Sequence, residues 1–169
     1  MKTSAAAIFD TYHLAVYRYF RRLLGDREAA EDLTQEVFLR VIRGLDRYES
    51  LGRESAWVFR IARNVFFDNR RARRPDATRL GDIEACGVES DHVLAFDIQE
   101  ALRLLSVHDC QVFVLKEVVG LSYAEIADAT DVTENSVRSR LRRARLQLRA
   151  SLRGRLVKSS MRDSGEGQG

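Results

Sequence analysis

Proline is almost missing: Pro75 is the only one in 169 residues. Folds built from many short strands punctuate them with proline and glycine turns, so this scarcity argues against an all-β fold and leaves an all-α expectation. Cysteine is equally sparse. Cys86 and Cys110 lie 24 positions apart without C-x-x-C spacing, which indicates neither a disulfide framework nor a zinc site. Both are expected to be ordinary reduced thiols. Long apolar runs are missing too: the longest, Ala5 to Phe9, is five residues, against about 20 needed to cross a bilayer. With no basic segment and cleavage site at the N-terminus, a cytoplasmic chain without membrane insertion is expected. The three histidines, His13, His92 and His108, show no E-x-x-H or H-E-x-x-H spacing, and a glycine-rich phosphate loop and a G-x-S-x-G elbow are absent. No catalytic residue, metal or cofactor is therefore expected.

What the sequence does have is charge in blocks. The net charge is only +3, yet Arg60 to Arg79 holds seven arginines against Asp68 and Asp76, and Glu134 to Lys158 holds nine basic residues against Glu134 alone. Between the blocks, Leu80 to Glu100 carries six acids and no Lys or Arg. Clustered cations gain affinity by releasing counterions from a phosphate backbone, so two such blocks point to nucleic acid. The opposite pattern occupies Asp26 to Glu36, where five acids accompany Arg27.

Helical periodicity organises the chain around these blocks. Ile8, Tyr12, Ala15, Val16, Tyr19, Phe20 and Leu23 recur at three and four, predicting a helix over 5–24 stopped by Gly25. Asp26 caps a second helix over 27–46 with Leu33, Val37, Val41 and Leu45 on one stripe and acids in its first turns, where the helix dipole favours them. A third follows the loop at 50–52, with Trp57, Ile61, Val65 and Ala72 expected inside and Pro75 at its end. These helices make one small domain over residues 1–74. Residues 75–91, acidic and without sustained period, read as a linker. A second small domain, 92–158, contains helices over Val93 to Leu105 and Asp109 to Val119, closed by Gly120. The tail, 159–169, is rich in Ser and Gly and is expected to be disordered.

Two segments carry candidate nucleic-acid chemistry. Ser122-Tyr123-Ala124-Glu125 is a capping box that opens a short helix to about Thr130. A turn at Asp131-Val132-Thr133 and a last, Arg-rich helix complete the layout of a helix-turn-helix, with Val137, Leu141, Ala144 and Leu148 on the buried stripe. Glu134, Asn135, Arg138, Ser139, Arg142 and Arg143 are then candidates to face base edges, because arginine donates two bonds to guanine O6 and N7. In the third helix, Trp57, Phe59, Phe66 and Phe67 interleave with Arg60, Arg63, Asn64, Arg70 and Arg71, a combination of stacking surfaces and phosphate partners found in single-strand binders. Aromatics at helical spacing are also ordinary core, and Trp57 is expected to be structural. The acidic residues Glu28, Glu31, Asp32 and Glu36 have no accompanying histidine and read as a docking or solvated face.

The motifs in order resemble a known family. Leu23-Leu24-Gly25-Asp26-Arg27, then Ala30 through Val41, then Trp57 through Asn64, are similar to region 2 of bacterial RNA polymerase sigma factors of the extracytoplasmic-function group. Val112 through Leu115, Gly120 through Ala127 and Val137 through Arg145 resemble region 4 of the same group. The resemblance implies core RNA polymerase, through the β′ clamp helices and the β flap, and promoter DNA as partners, and commonly an anti-sigma factor. It implies that Asp32, Gln35, Glu36, Phe38 and Leu39 dock on the clamp helices. Arg60, Arg63, Asn64, Arg70 and Arg71 would handle the minus-ten region, with Asn64 near a flipped base. Asn135, Arg138, Ser139, Arg142 and Arg143 would read the minus-thirty-five element. The acidic linker would thread toward the active-site and RNA-exit channel. Two departures stand out: Leu105-Ser106 replaces a frequent Leu-Pro, and Asn135-Ser136-Val137 replaces Gly-Thr-Val, where Asn is expected to tolerate a left-handed turn. The rival reading is a stand-alone dimeric helix-turn-helix repressor or activator, which has no need of the acidic and aromatic N-terminal helices.

Overall fold

The computed structural model describes residues 4–49, 52–73 and 93–163, and among these the backbone forms seven α-helices and no strand, in agreement with the all-α expectation. They are α1 (Ala5–Leu24), α2 (Arg27–Gly44), α3 (Glu54–Arg73), α4 (Val93–Arg103), α5 (Val107–Val114), α6 (Tyr123–Thr130) and α7 (Glu134–Asp163). The acidic stretch expected as a linker over 75–91, with Cys86 inside it, lies outside the described residues.

The punctuation in the sequence sets most boundaries. Ser4 caps α1 by accepting the Ala7 N–H, and the Asp26 carboxylate caps α2 by accepting the Glu28 N–H at 3.0 Å. At the departure Leu105-Ser106, Ser106 is the N-cap of α5 and its hydroxyl accepts the Asp109 N–H. A serine therefore supplies there the helix start that proline supplies elsewhere by fixing φ. The helix after it changes pitch at Leu115–Val119, a π turn, and ends at Gly120 with φ 87°. That conformation costs an L-residue about 1–2 kcal/mol, and glycine adopts it freely.

Two expectations shift. The inner face of α3 is rotated by about one residue: Ala56, Val58, Phe59, Ala62, Val65 and Phe66 are buried, whereas Trp57 and Ile61 are half-buried and Ala72 is exposed. Phe59 and Phe66 are thus core residues and not stacking platforms. The Trp57 ring lies flat on Tyr48, centroids 4.2 Å apart. It also lies close to Gly44, where an added Cβ would meet it at 3.3 Å. At the other end of the chain, α7 continues to Asp163, so residues 159–163 of the expected disordered tail are helical. No proline interrupts them, and serine in a helix costs well under about 1 kcal/mol. Residues 164–169 lie outside the described residues.

The first three helices pack on one another, as do α5 and α6 on α7, with α4 beside α7. The two groups also touch. α3 lies against α6, α1 lies against α5 and the π turn, and the buried apolar residues of both groups form one cluster. Gln99 in α4 adds a bond from its amide to the Arg22 carbonyl at 2.7 Å.

Candidate nucleic-acid interface

The second half builds a helix–turn–helix from local chemistry. Ser122 Oγ accepts the Glu125 N–H while the Glu125 carboxylate accepts the Ser122 N–H at 2.7 Å, the reciprocal bonds of a capping box. The chain leaves α6 through Asp131, at φ 56°, a conformation aspartate tolerates better than most residues. The left-handed residue is therefore Asp131, and Asn135 sits in the first turn of α7. Thr133 Oγ1 caps α7 by accepting the Ser136 N–H. Val137, Leu141, Ala144 and Leu148 are buried and fix α7 to its neighbours.

This leaves Asn135, Arg138, Ser139, Arg142 and Arg143 exposed along the outer side of α7. Their environments differ. The Arg138 guanidinium lies 4.8 Å from the Tyr123 ring centroid and donates to Glu134 Oε2 at 3.2 Å, so aromatic face and carboxylate together orient it. Lys116 lies over the same ring at 5.0 Å. Arg143 is paired with α5: its Nε and Nη2 donate to Asp109 Oδ2 and Oδ1 at 3.2 and 3.0 Å. These bonds raise the Arg143 pKa. Arg145, further along, donates to Glu117.

The first half presents a second cationic element, α3. Asn64 is exposed, and Arg71 is exposed and donates to Asp68 at 2.8 Å. Arg63 is half-buried over Phe67 at 5.0 Å with its Nε buried and without a hydrogen-bond partner, and Arg70 lies over Phe66 at 5.6 Å. Arg60 faces the other half, where Nε and Nη2 both donate to the Asp128 carbonyl on α6. Around it, Arg53 pairs with the Asp128 carboxylate at 3.2 Å and Ser55 Oγ donates to Glu125 Oε1. Burial pushes the Glu125 carboxyl up, but the bonds from Ser55 and Ser122 and the charge of Lys116 outweigh it and leave the pKa lowered. The structure thus brings α3 and the helix-turn-helix together through residues that sequence spacing assigned separately.

On α2, Asp32 and Gln35 are exposed, and Glu36 pairs with Arg40 at 2.7 Å, which also reaches Asp68. Phe38 points inward. It is 6% exposed beneath the edge of Phe9, whose ring centroid is 4.9 Å away. The apolar groups open to solvent near it are Phe9, Leu39 and Ile42, at 46%, 48% and 57%. Sequence spacing does not single out Phe9; Ile42 is marked only as an apolar residue three positions after Leu39 and off the Leu33–Val37–Val41 stripe. Among the described residues, no group of three His, Cys, Asp or Glu could hold a metal, and no helix is long and apolar enough to cross a membrane.

A capped helix, a left-handed turn and a basic, solvent-facing helix define a helix-turn-helix DNA-binding protein. Comparison with known proteins narrows this class. The family model for Sigma-70 region 2 matches residues 8–75, and that for Sigma-70, region 4, matches residues 95–148. The ECF RNA polymerase sigma factor SigW of Bacillus subtilis is 31% identical over 165 residues, covering 88% of each chain. SigE of Mycolicibacterium smegmatis is 38% identical over 144 residues, covering 79% of this chain but only 56% of that relative. Among solved structures, RpoE of Bartonella quintana in complex with the anti-sigma factor NepR superposes with a TM-score of 0.71 at 24% identity, covering 86% of this chain and 94% of RpoE. CnrH in complex with the cytosolic domain of CnrY gives 0.68 at 23%, covering 89% of this chain and 88% of CnrH. These two likenesses speak for the fold alone. The chain belongs to the ECF RNA polymerase sigma factors. The region 2 match accounts for the half of the chain that a stand-alone repressor would not need.

Proposed function

We propose that this sigma factor binds core RNA polymerase through the solvent face of α2, brings it to a subset of promoters in the cytoplasm, and helps open them without catalysing a reaction itself. Asp32, Gln35, Glu36 and Leu39 supply the docking face, with Phe9 and Ile42 adding exposed apolar area beside them. Phe38 contributes by supporting Phe9 from below. Residues 1–74 act as the docking and minus-ten unit, 75–91 as the acidic connection and 92–158 as the minus-thirty-five unit.

The observation that carries the reading is the exposed row Asn135, Arg138, Ser139 and Arg142 at the start of α7, where a recognition helix meets base edges. Arg138 enters already oriented by Tyr123 and Glu134, which lowers the ordering cost of a two-bond contact to guanine. In the minus-ten unit, Asn64 takes the base extruded from the open strand, while Arg60, Arg63, Arg70 and Arg71 hold its backbone. Unstacking a base costs a few kcal/mol, so a site that accepts only the open strand favours melting. For Arg60 to do this it must leave the Asp128 carbonyl, so promoter engagement breaks this contact between α3 and α6. An anti-sigma factor is a further partner, of the kind named in the complex of the sigma factor RpoE with NepR.

Single substitutions separate these roles. Asn64→Ala is expected to leave polymerase binding unchanged while reducing the open-complex yield, measured by permanganate reactivity of unpaired thymines; an unchanged yield would remove Asn64 from the strand site. Arg142→Ala is expected to relax promoter choice at a single position, at about 1–3 kcal/mol for the lost base contact. Selection of promoters with the variant holoenzyme measures this, and an unaltered profile would place base readout on another face.

A further inference from the structure

We infer that Asp68 is a positioning residue of the strand site: it aims Arg71 at the backbone of the open strand, and Arg40 of α2 braces it for that task. The inference rests on the proposed role of α3 in holding that strand. Asn64, Asp68 and Arg71 follow one another at spacings of four and three, so they share one side of α3. A carboxylate standing between two groups that meet a polyanion repels it unless its charge is taken up nearby. Two arginines take it up. Arg71 Nη2 donates to Asp68 Oδ1 at 2.8 Å, and Arg40 Nη1 donates to Asp68 Oδ2 at 2.7 Å from the neighbouring helix.

The brace is itself held. Arg40 Nε donates to Glu36 Oε1 at 2.7 Å, and the bonds to Asp68 and Glu36 raise the Arg40 pKa although burial pulls it down. Each Asp68 oxygen therefore meets one arginine, and its orientation is set from α2 as well as from α3. Arg71 differs from Arg40: its side chain is 78% exposed, and the bond to Asp68 engages Nη2, which leaves donors of the same fork for a phosphate. A pair this exposed adds little to stability. Its effect is on the arginine, because a long side chain confined before the strand arrives loses less freedom on binding. The row thus offers a base contact at Asn64 and a phosphate contact about 10 Å further along the helix, at about 1.5 Å per residue.

The test uses holoenzyme assembled with each chain at saturation over bacterial core RNA polymerase. The probe is a forked duplex whose non-template strand is unpaired through the minus-ten region, taken from a promoter selected with the wild-type holoenzyme. Affinity is measured for wild type, Asp68→Asn, Asp68→Glu, Arg71→Ala and the double variant of Asp68→Asn with Arg71→Ala. Asparagine keeps the shape of the side chain and removes its charge, so a carboxylate that only repels DNA would give tighter binding once replaced. The reverse is expected: Arg71→Ala weakens binding to the fork about tenfold and Asp68→Asn about fivefold, near the lower end for a charge-assisted contact. Asp68→Glu, which keeps the charge, is expected to retain most of the affinity. The double variant is expected to bind no more weakly than Arg71→Ala alone, because Asp68 acts through Arg71. Unchanged or tighter binding by Asp68→Asn, with a loss in Arg71→Ala, overturns the proposal alone. A loss from Asp68→Asn that persists in the Arg71→Ala background also overturns it and makes Asp68 a structural member of α3. Asp68→Glu as weak as Asp68→Asn overturns it too, since the charge would then not be what aims Arg71. Wild-type binding by Arg71→Ala removes Arg71 from the strand site, and the proposal falls with that assignment.

Discussion

Phe59→Ala is expected to lower stability by about 3–5 kcal/mol, the usual cost of emptying a buried aromatic site. Phe59 is 1% exposed in the first half of α3, with its ring 5.9 Å from that of Tyr19. It joins α3 to α1, and α3 in turn lies against α6, so the cavity would weaken the element that links both halves of the molecule. Against a total stability of about 5–15 kcal/mol, such a loss is a large share of what keeps the chain folded. Urea unfolding followed by circular dichroism measures it. A loss below about 1 kcal/mol would instead restore Phe59 to the solvent side of α3, as a stacking surface for bases.

The second large effect concerns docking. Asp32→Lys combined with Leu39→Ala is expected to weaken binding to core polymerase about 100-fold, equivalent to about 2.7 kcal/mol. Both side chains are exposed, so the double variant should retain the stability of the parent. The charge reversal replaces an acid of the proposed docking face by a cation, and the truncation removes an apolar group that is 48% exposed in the free chain. Fluorescence anisotropy of the labelled chain titrated with core enzyme gives the affinity. Wild-type affinity in the double variant would move the docking surface off α2.

How much of this was legible in the sequence depends on whether the determinant was local. The Gly25-Asp26 break, the Ser122–Glu125 capping box and the Thr133 cap are short-range hydrogen-bonding signals, and each appears in the structure where spacing puts it. The phase of α3 was not local. Trp57–Ile61–Val65 and Ala56–Phe59–Ala62–Phe66 are both helical stripes, and neighbouring elements bury all of the second but only Val65 of the first, leaving Trp57 and Ile61 half-buried. Periodicity alone cannot choose between two apolar stripes on one helix. The burial of Phe38 was not legible for a similar reason, because it depends on Phe9 arriving from another helix. The Asp109–Arg143 pair and the contact of Arg60 with Asp128 join residues 34 and 68 positions apart, distances at which sequence spacing carries no information. The family resemblance supplied what periodicity could not: it united an acidic helix, an Arg-rich aromatic helix and a helix-turn-helix in one function.

The most direct test of the central claim is size-exclusion chromatography of the purified chain with bacterial core RNA polymerase, followed by run-off transcription from promoters selected with the resulting complex. The account predicts stoichiometric co-elution and transcripts that depend on both the chain and the selected promoter. Absence of a complex, with the chain alone binding duplex DNA as a dimer, would contradict it.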